Sequence, residues 1–559
     1  LYEDKQDYLI EILMECKKAG NPDMVYKFAS TSKISFPGSG VAAMAGSPRN
    51  IADVKSRMTI QTIGHDKLNQ LRHVKFFKDL DGLRAHMRKH AALLRPKFEL
   101  VLDTLEKELG GLGIGQWTSP HGGYFISFDS LDGCAKAIVA KAKEAGYQLL
   151  EDAIKEKKSL KPGDKVYVNQ MGKSIAMFII GKESLEKGMN ILGAHIDSPR
   201  LDLKQVPLYE DTEMAMFDTH YYGGVKKYQW VTLPLALHGV VAKKDGTMVN
   251  ISIGDKENDP VFGVSDLLIH LAGDQLEKKA SKVIEGENLD VLIGSIPADV
   301  EEKDKVKETV KANVLNILLK EYDIEEEDFL SAEIEVVPAG AARDYGFDRS
   351  MVMGYGHDDR VCAYPSFRAM LEVDTPEVTS VCLLVDKEEI GSVGATGMQS
   401  RFFENAVAEV MELCGQYSEL ALRRALSNSQ VLSSDVSAAF DPNYPSVSEK
   451  KNAAYFGKGL VFNKYTGARG KSGSNDANAE YMAHLRAVLD KEEVAYQTSE
   501  LGKVDQGGGG TIAYILANYG MQVIDSGVAV LNMHAPWEII SKVDLYEAFR
   551  GYVVFLKEA

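Results

Sequence analysis

Nowhere in the 559 residues is there a run approaching the roughly 18 consecutive apolar residues that a membrane-spanning helix needs. Basic charge is also in short supply: 64 Lys and Arg stand against 81 Asp and Glu, for a formal charge of -17. No Lys/Arg cluster interleaved with aromatics is present either, so neither a membrane nor nucleic acid is expected as a partner. The five cysteines (Cys16, Cys134, Cys362, Cys382 and Cys414) form no CxxC pair. So sparse and odd a set fits a reducing compartment better than a disulfide framework, and the expected location is the cytoplasm. No signal peptide is recognisable: Leu1 opens a charged stretch of helical character, and the natural start is expected to be missing. What is there, 45% hydrophobic and 26% charged residues, is the composition of a soluble globular protein. The length exceeds what one hydrophobic core usually serves, so about three domains are expected.

Residues 1–146 alternate short strands with amphipathic helices. The clearest helix runs through FKDLDGLRAHMRKHAALLRPKFELVLDTLEKEL, with apolar residues at spacings of three and four. Gly146–Tyr147 then leads into a second unit with no Pro-, Ser- or Gly-rich linker between them. From 165 to 240, KVYVN, SIAMFII, MNILGAHI and WVTLPLALHGVVA read as buried or half-buried strands, several too continuously apolar for a sheet with one wet face. A covered central sheet is expected. Residues 201–345, with a charged helix around EEKDKVKETVKANVLNILLKEY, read as an insertion into it. The alternation resumes at MVMGYG and continues through SVCLLVD, helices near 400–425, and SGVAVLNM.

Four strand ends stop in residues that bind metals: GAHIDSP, GYGHDDR, LLVDKEEIGS and AVLNMHAPWE, with LSSDVS as a fifth segment. In α/β sheets, ligands gather outside the carboxyl ends of strands, so these segments can meet. Two ions about 3.5–4 Å apart, bridged by a carboxylate, would activate water for hydrolysis. Imidazole and carboxylate donors without thiolate suit zinc, with cobalt or manganese as substitutes. A single His at a strand end is usually structural, but five such motifs in one chain are not explained that way. Asp359 and His357, beside Asp358, are expected to be structural. His86 and His90, at i, i+4 in HMRKH, lack the Glu of a metalloprotease helix and read as a surface pair. GGGGT at 507–511 fits close backbone packing as well as anion binding.

Over 147–559 these motifs resemble the M18 aminopeptidases, the aspartyl aminopeptidase and aminopeptidase I group. The resemblance implies a mixed central α/β sheet with helices on both faces, the dinuclear zinc exopeptidase fold. It divides the unit into a catalytic domain at 147–200 and 346–559 and an inserted β-rich dimerisation domain at 201–345. It further implies two Zn2+ per subunit: His195 and Asp435 on the first, Glu389 and His534 on the second, and Asp358 bridging both. Asp197 orients His195, and Glu388 is the general base. His238 in LPLALH and Lys464 in FNKYTG fall near substrate-binding positions. Peptides are the implied substrates and a homo-oligomer, a dodecamer in this family, the implied assembly. The alternative is a catalytically inactive fusion.

Residues 1–146 carry a second resemblance. YKFASTSKISFPGSGVAAMAGS, LRPKFELVLDTLEKEL and GGYFISFDSLDG are similar to the C-terminal part of a class I-type aminotransferase. Lys33 sits where such enzymes link pyridoxal phosphate, and Ser30 and Ser32 could touch its phosphate. The expected large domain and substrate-binding arginine are not found in the sequence, so Lys33 is a vestige and transamination is not expected. The join reads as a gene fusion or an assembly of two truncated reading frames.

Overall fold

A computed structural model describes residues 10–31, 34–35, 40–61, 66–109, 115–117, 128–130, 140–256, 258–299, 307–467 and 469–559. Lys33 and Ser32 lie outside the described residues, as does the start of the helix expected from residue 301. The chain divides into two compact units, Leu1–Gly133 and Cys134–Ala559, a division ahead of the Gly146–Tyr147 junction.

In the first unit, Lys27–Ser30 pairs antiparallel with Ala42–Ala45, and three helices follow: Pro48–Gln61, Lys67–Phe77 and Leu80–Leu109. The segment FKDLDG thus spans two helices. Lys78 leaves the first at φ 66, and Asp79 accepts from the Gly82 amide. His86 and His90 face each other on the long helix with ring centroids 4.4 Å apart. Phe77 and Phe98 are buried, whereas Phe28, Leu68 and Leu93 are exposed.

The second unit is mixed α/β. Its largest sheet has nine strands, numbered in chain order: β1 Gln148–Leu149, β2 Lys165–Gln170, β3 Ser174–Ile179, β4 Met189–His195, β5 Thr379–Val385, β6 Gln430–Ser434, β7 Leu460–Asn463, β8 Tyr496–Thr498 and β9 Gln522–Gly527. Their spatial order is β8-β7-β9-β6-β4-β5-β3-β2-β1. Every residue of β3, β4 and β5 is buried, as their unbroken apolar character requires of a sheet covered on both faces. Alternation along β3 shows the two faces. Ile175, Met177 and Ile179 enter one core with Phe367, Leu485, Tyr552 and Phe555; Ala176, Phe178 and Ile180 enter the other with Phe403, Val407 and Leu426. The longer helices packed on this sheet are α1 His357–Leu371, α2 Phe402–Leu413, α3 Glu419–Ser427, α4 Ala479–Lys491 and α5 Lys542–Glu558. Helices α1, α4 and α5 cover the first face; α2 and α3 cover the second. Ser418 starts α3, its hydroxyl accepting from the Ala421 amide.

Three segments assigned to the central sheet lie elsewhere. WVTLPLALHGVVA contributes Leu235–Ala242 to a separate six-stranded sheet with Arg200–Asp211, Met214–Tyr222, Met248–Ile253, Val291–Gly294 and Ala332–Pro338. That sheet has its own core around Trp230, Phe217 and Phe329, with helix Thr309–Tyr322 beside it. Met351–Gly354 and Ala529–Leu531 belong to a five-stranded sheet, joined through Glu538–Ser541, which pairs with both. Sequence periodicity marks a strand but not which sheet takes it, since long-range pairing decides that.

Phe367 ties α1, whose first turn carries Asp358, into the first-face core at 1% exposure. Phe367→Ala is expected to cost about 3–5 kcal/mol, measured as a lowered midpoint of chemical denaturation followed by circular dichroism.

Candidate metal centre

Strands β4, β5 and β6 run parallel, in the order β5-β4-β6, so their carboxyl ends open side by side. His195 is the last residue of β4, Glu388 and Glu389 follow β5, and Asp435 follows β6. Asp358 and His534 arrive from the five-stranded sheet, just after Met351–Gly354 and Ala529–Leu531. The site is therefore a meeting of two sheets. Each side's chain direction is set by its own pairing.

Both imidazoles are aimed alike. His195 Nδ1 lies 3.0 Å from the Asp197 carbonyl and 3.3 Å from Asp197 Oδ1, leaving Nε2 to face inward. His534 Nδ1 lies 3.0 Å from the Gly224 carbonyl, again leaving Nε2 inward. His195 Nε2 is 3.1 Å from Asp358 Oδ1 and 3.9 Å from both Glu388 Oε2 and Asp435 Oδ1. His534 Nε2 is 3.2 Å from Asp358 Oδ2 and 3.7 Å from Glu389 Oε2. Asp358 thus turns one oxygen to each histidine.

These inward atoms converge without satisfying one another. Asp358 Oδ1 and Glu389 Oε1 are buried with no hydrogen-bond partner, although His195 Nε2 lies within 3.1 Å of the former. The close approach lacks donor geometry, as expected of two donors pointed at one point between them. Three sets of donor atoms lie within 4.8 Å: Asp358, Glu389 and His534; His195, Glu388 and Glu389; and His195, Asp359 and Asp435. Asp359 was expected to be structural. Its Oδ2 accepts the His195 amide at 3.2 Å, so its better-defined task is to hold the β4 end.

The electrostatics fit a cation. Burial, followed by the Asp358 charge, pushes Glu389 up to about 8. Burial likewise raises Glu388 and drives Asp435 and Asp359 well above the usual carboxylate range. Burial opposes protonation of His195, but its contacts with Asp197 and Asp358 hold it well above the ordinary imidazole value. The same opposition acts on His534, where Asp358 and Glu389 prevail and its pKa is pushed up to about 9. So many carboxylates in one buried site are costly unless positive charge is shared among them. The donor set of imidazole and carboxylate suits zinc.

Asp197 does more than orient His195. Its carboxylate accepts from the amides of Glu388 and Glu389 at 3.1 and 3.2 Å and from the Tyr222 hydroxyl at 2.8 Å. Tyr222 and Gly224 belong to the six-stranded unit or its exit, and the sequence carried no sign of their part. A Cβ on Gly224 would stand 3.1 Å from His534 Nδ1, and one on Gly223 3.2 Å from Glu389 Oε2, so this close approach needs glycine. Lys387 and His534 hold left-handed backbones at φ 68 and 64, conformations costing about 1–3 kcal/mol each. A cavity of about 520 Å³ opens over the cluster, walled by Asn463, Thr466, Gly508, Gly509, Gly510 and Thr511 among others. The glycine run thus lines this space, and the helix after it, Ala513–Ala517, is only five residues long.

His238 and Lys464 are not brought to this cavity within the chain. His238 Nε2 pairs with Asp255 at 2.6 Å in the six-stranded sheet. Lys464 Nζ pairs with Asp476, although its neighbour Asn463 lines the cavity.

A family model described as aminopeptidase I zinc metalloprotease (M18) matches residues 132–556. An aspartate amino-transferase model matches residues 1–158, overlapping it across 132–158. The probable M18 family aminopeptidase 1 of Clostridium acetobutylicum is 69% identical over 424 residues, covering 76% of this chain and 90% of that protein. That of Thermotoga maritima is 49% identical over 410 residues, covering 73% and 88%. The crystal structure of aminopeptidase I from C. acetobutylicum aligns with a TM-score of 0.71 at 65% identity, over 76% of this chain and 91% of that one. The M18 structure from T. maritima gives 0.72 at 47%, over 76% and 92%. A putative aminotransferase of Mycolicibacterium smegmatis is 47% identical over 142 residues, 25% of this chain but 33% of that protein. Matched over most of its length by that model and by such relatives, the chain belongs to the M18 family of zinc aminopeptidases.

Proposed function

We propose that the chain removes N-terminal residues from peptides through two zinc ions, one held by His195, Asp358 and Asp435 and the other by Asp358, Glu389 and His534. What carries this reading is the way both histidines commit Nδ1 outward and present Nε2 to opposite oxygens of one buried aspartate. Zinc, when bound, would lower the pKa of water toward roughly 7 and polarise the scissile carbonyl. Glu388 acts as general base. Its side chain is 15% exposed and lines the cavity, so Oε2 can take a proton from the attacking water and pass it to the leaving amine. Burial already raises its proton affinity, which suits a group that must accept a proton and release it. Asp197 keeps His195 in the Nδ1–H tautomer while anchoring the Glu388–Glu389 turn through its amides. His238 and Lys464 are kept as candidate substrate-contacting residues.

Dialysis against a chelator should abolish hydrolysis of aminoacyl amides, and added zinc should restore it. Glu388→Gln should lower kcat about 100- to 10,000-fold with bound zinc unchanged; hydrolysis that is metal-independent, or as fast in the variant, would contradict the mechanism. Tyr222→Phe removes the hydroxyl that holds Asp197 and is expected to lower kcat/KM roughly ten-fold, measured at saturating zinc.

The 201–345 segment is proposed as a dimerisation domain within a larger homo-oligomer. The solved yeast mApe1 is a dodecamer, and this segment carries the exposed apolar residues Leu267, Leu268, Ile269 and Leu271. Light scattering should give the mass of an oligomer, and a monomer would refute this assembly.

A further inference from the structure

Glu538 is 1% exposed and opens the strand Glu538–Ser541, which lies between the two strands that deliver Asp358 and His534. Its Oε2 accepts from the Asp358 amide at 3.0 Å and its Oε1 from the His534 amide at 2.8 Å. Neither amide sits in regular structure. Asp358 has φ -77 and ψ 107, off helical geometry at the start of α1, and His534 has φ 64. A single carboxylate therefore fixes two irregular backbones to one rigid strand.

We infer that Glu538 is a positioning residue of the metal centre, its two oxygens setting the spacing between Asp358 and His534. The inference rests on the proposed zinc assignment, in which these two residues share an ion. A carboxylate is the side chain suited to this place because it offers an acceptor to each amide. Glutamine, of nearly the same shape, offers one acceptor and turns an NH2 toward the other amide. Alanine leaves both amides unpaired in a buried site. Asp358 and His534 would then be free to drift from the separation that two ligands of one ion require, and loss of such outer support weakens metal sites.

The same molecule holds a control. Asp544, also buried, accepts the amides of Gly457 at 2.9 Å and Gly459 at 2.7 Å on the loop before β7 and contributes nothing to the cavity wall. The experiment is a zinc competition titration against a chromogenic chelator on the full chain, comparing wild type with Glu538→Gln, Glu538→Asp and Asp544→Asn, with thermal unfolding measured in parallel. Glu538→Gln should raise the zinc dissociation constant about 10- to 100-fold for one of two equivalents, and Glu538→Asp, a methylene shorter and unable to span both amides, should raise it less. Asp544→Asn should lower the melting temperature but leave zinc affinity within about two-fold of wild type. Should Glu538→Gln not accumulate folded, Glu538→Asp carries the test. Wild-type zinc affinity in the Glu538 variants, or equal weakening in Asp544→Asn, overturns the inference. A wild-type chain that binds no zinc overturns the metal assignment instead.

Discussion

The centre is braced by carboxylates that accept backbone amides from the strand ends and loops around it. Asp197 takes the amides of Glu388 and Glu389, Asp359 takes that of His195, and Glu538 takes those of Asp358 and His534. The Asp197 bonds tie the ends of β4 and β5, the Glu538 bonds tie Asp358 and His534 to one strand of the five-stranded sheet, and the Asp359 bond to His195 joins the two sets. Carboxyl oxygens suit this role because each side chain offers two acceptors and hydrogen bonds are strengthened in dry surroundings. The inner carboxylates are then free to point at a shared centre.

This division of labour explains why neighbouring acidic residues differ in task. Asp358 faces two imidazoles, while Asp359 turns back to β4. Glu388 and Glu389 both line the cavity, and Glu389 also lies against His534 and Gly223. In the Asp358–Asp359 pair, adjacent side chains thereby serve the inside and the frame of the site.

Much of the second unit was legible in the sequence because its central strands are buried on both faces and read as unbroken apolar runs. MNILGAH and TSVCLLV announce themselves, and the residues that follow them stand out against that background. Less legible were the sheets to which segments belong. MVMG and AVL look like more of the central sheet, yet they pair through Glu538–Ser541 into another. Tyr222 and Gly224 left no local mark at all, since one acts through a hydroxyl and the other through a carbonyl that any residue possesses. Glu538 lay in plain sight within MHAPWE, but its partners are amides, and amides carry no sequence signature.

The Tyr222–Gly224 crossing joins the six-stranded unit to the chemistry. Arg200 stacks on the Tyr222 ring at 3.7 Å and pairs with Asp202 and Glu335 of that sheet, while Tyr222 bonds Asp197 and Gly224 receives His534. The six-stranded unit thereby reaches His195 through Tyr222 and Asp197, and His534 through the Gly224 carbonyl. The unit is thus part of the frame of the centre: the Gly224 carbonyl decides which ring nitrogen of His534 turns inward, and the Tyr222 hydroxyl steadies the carboxylate behind His195.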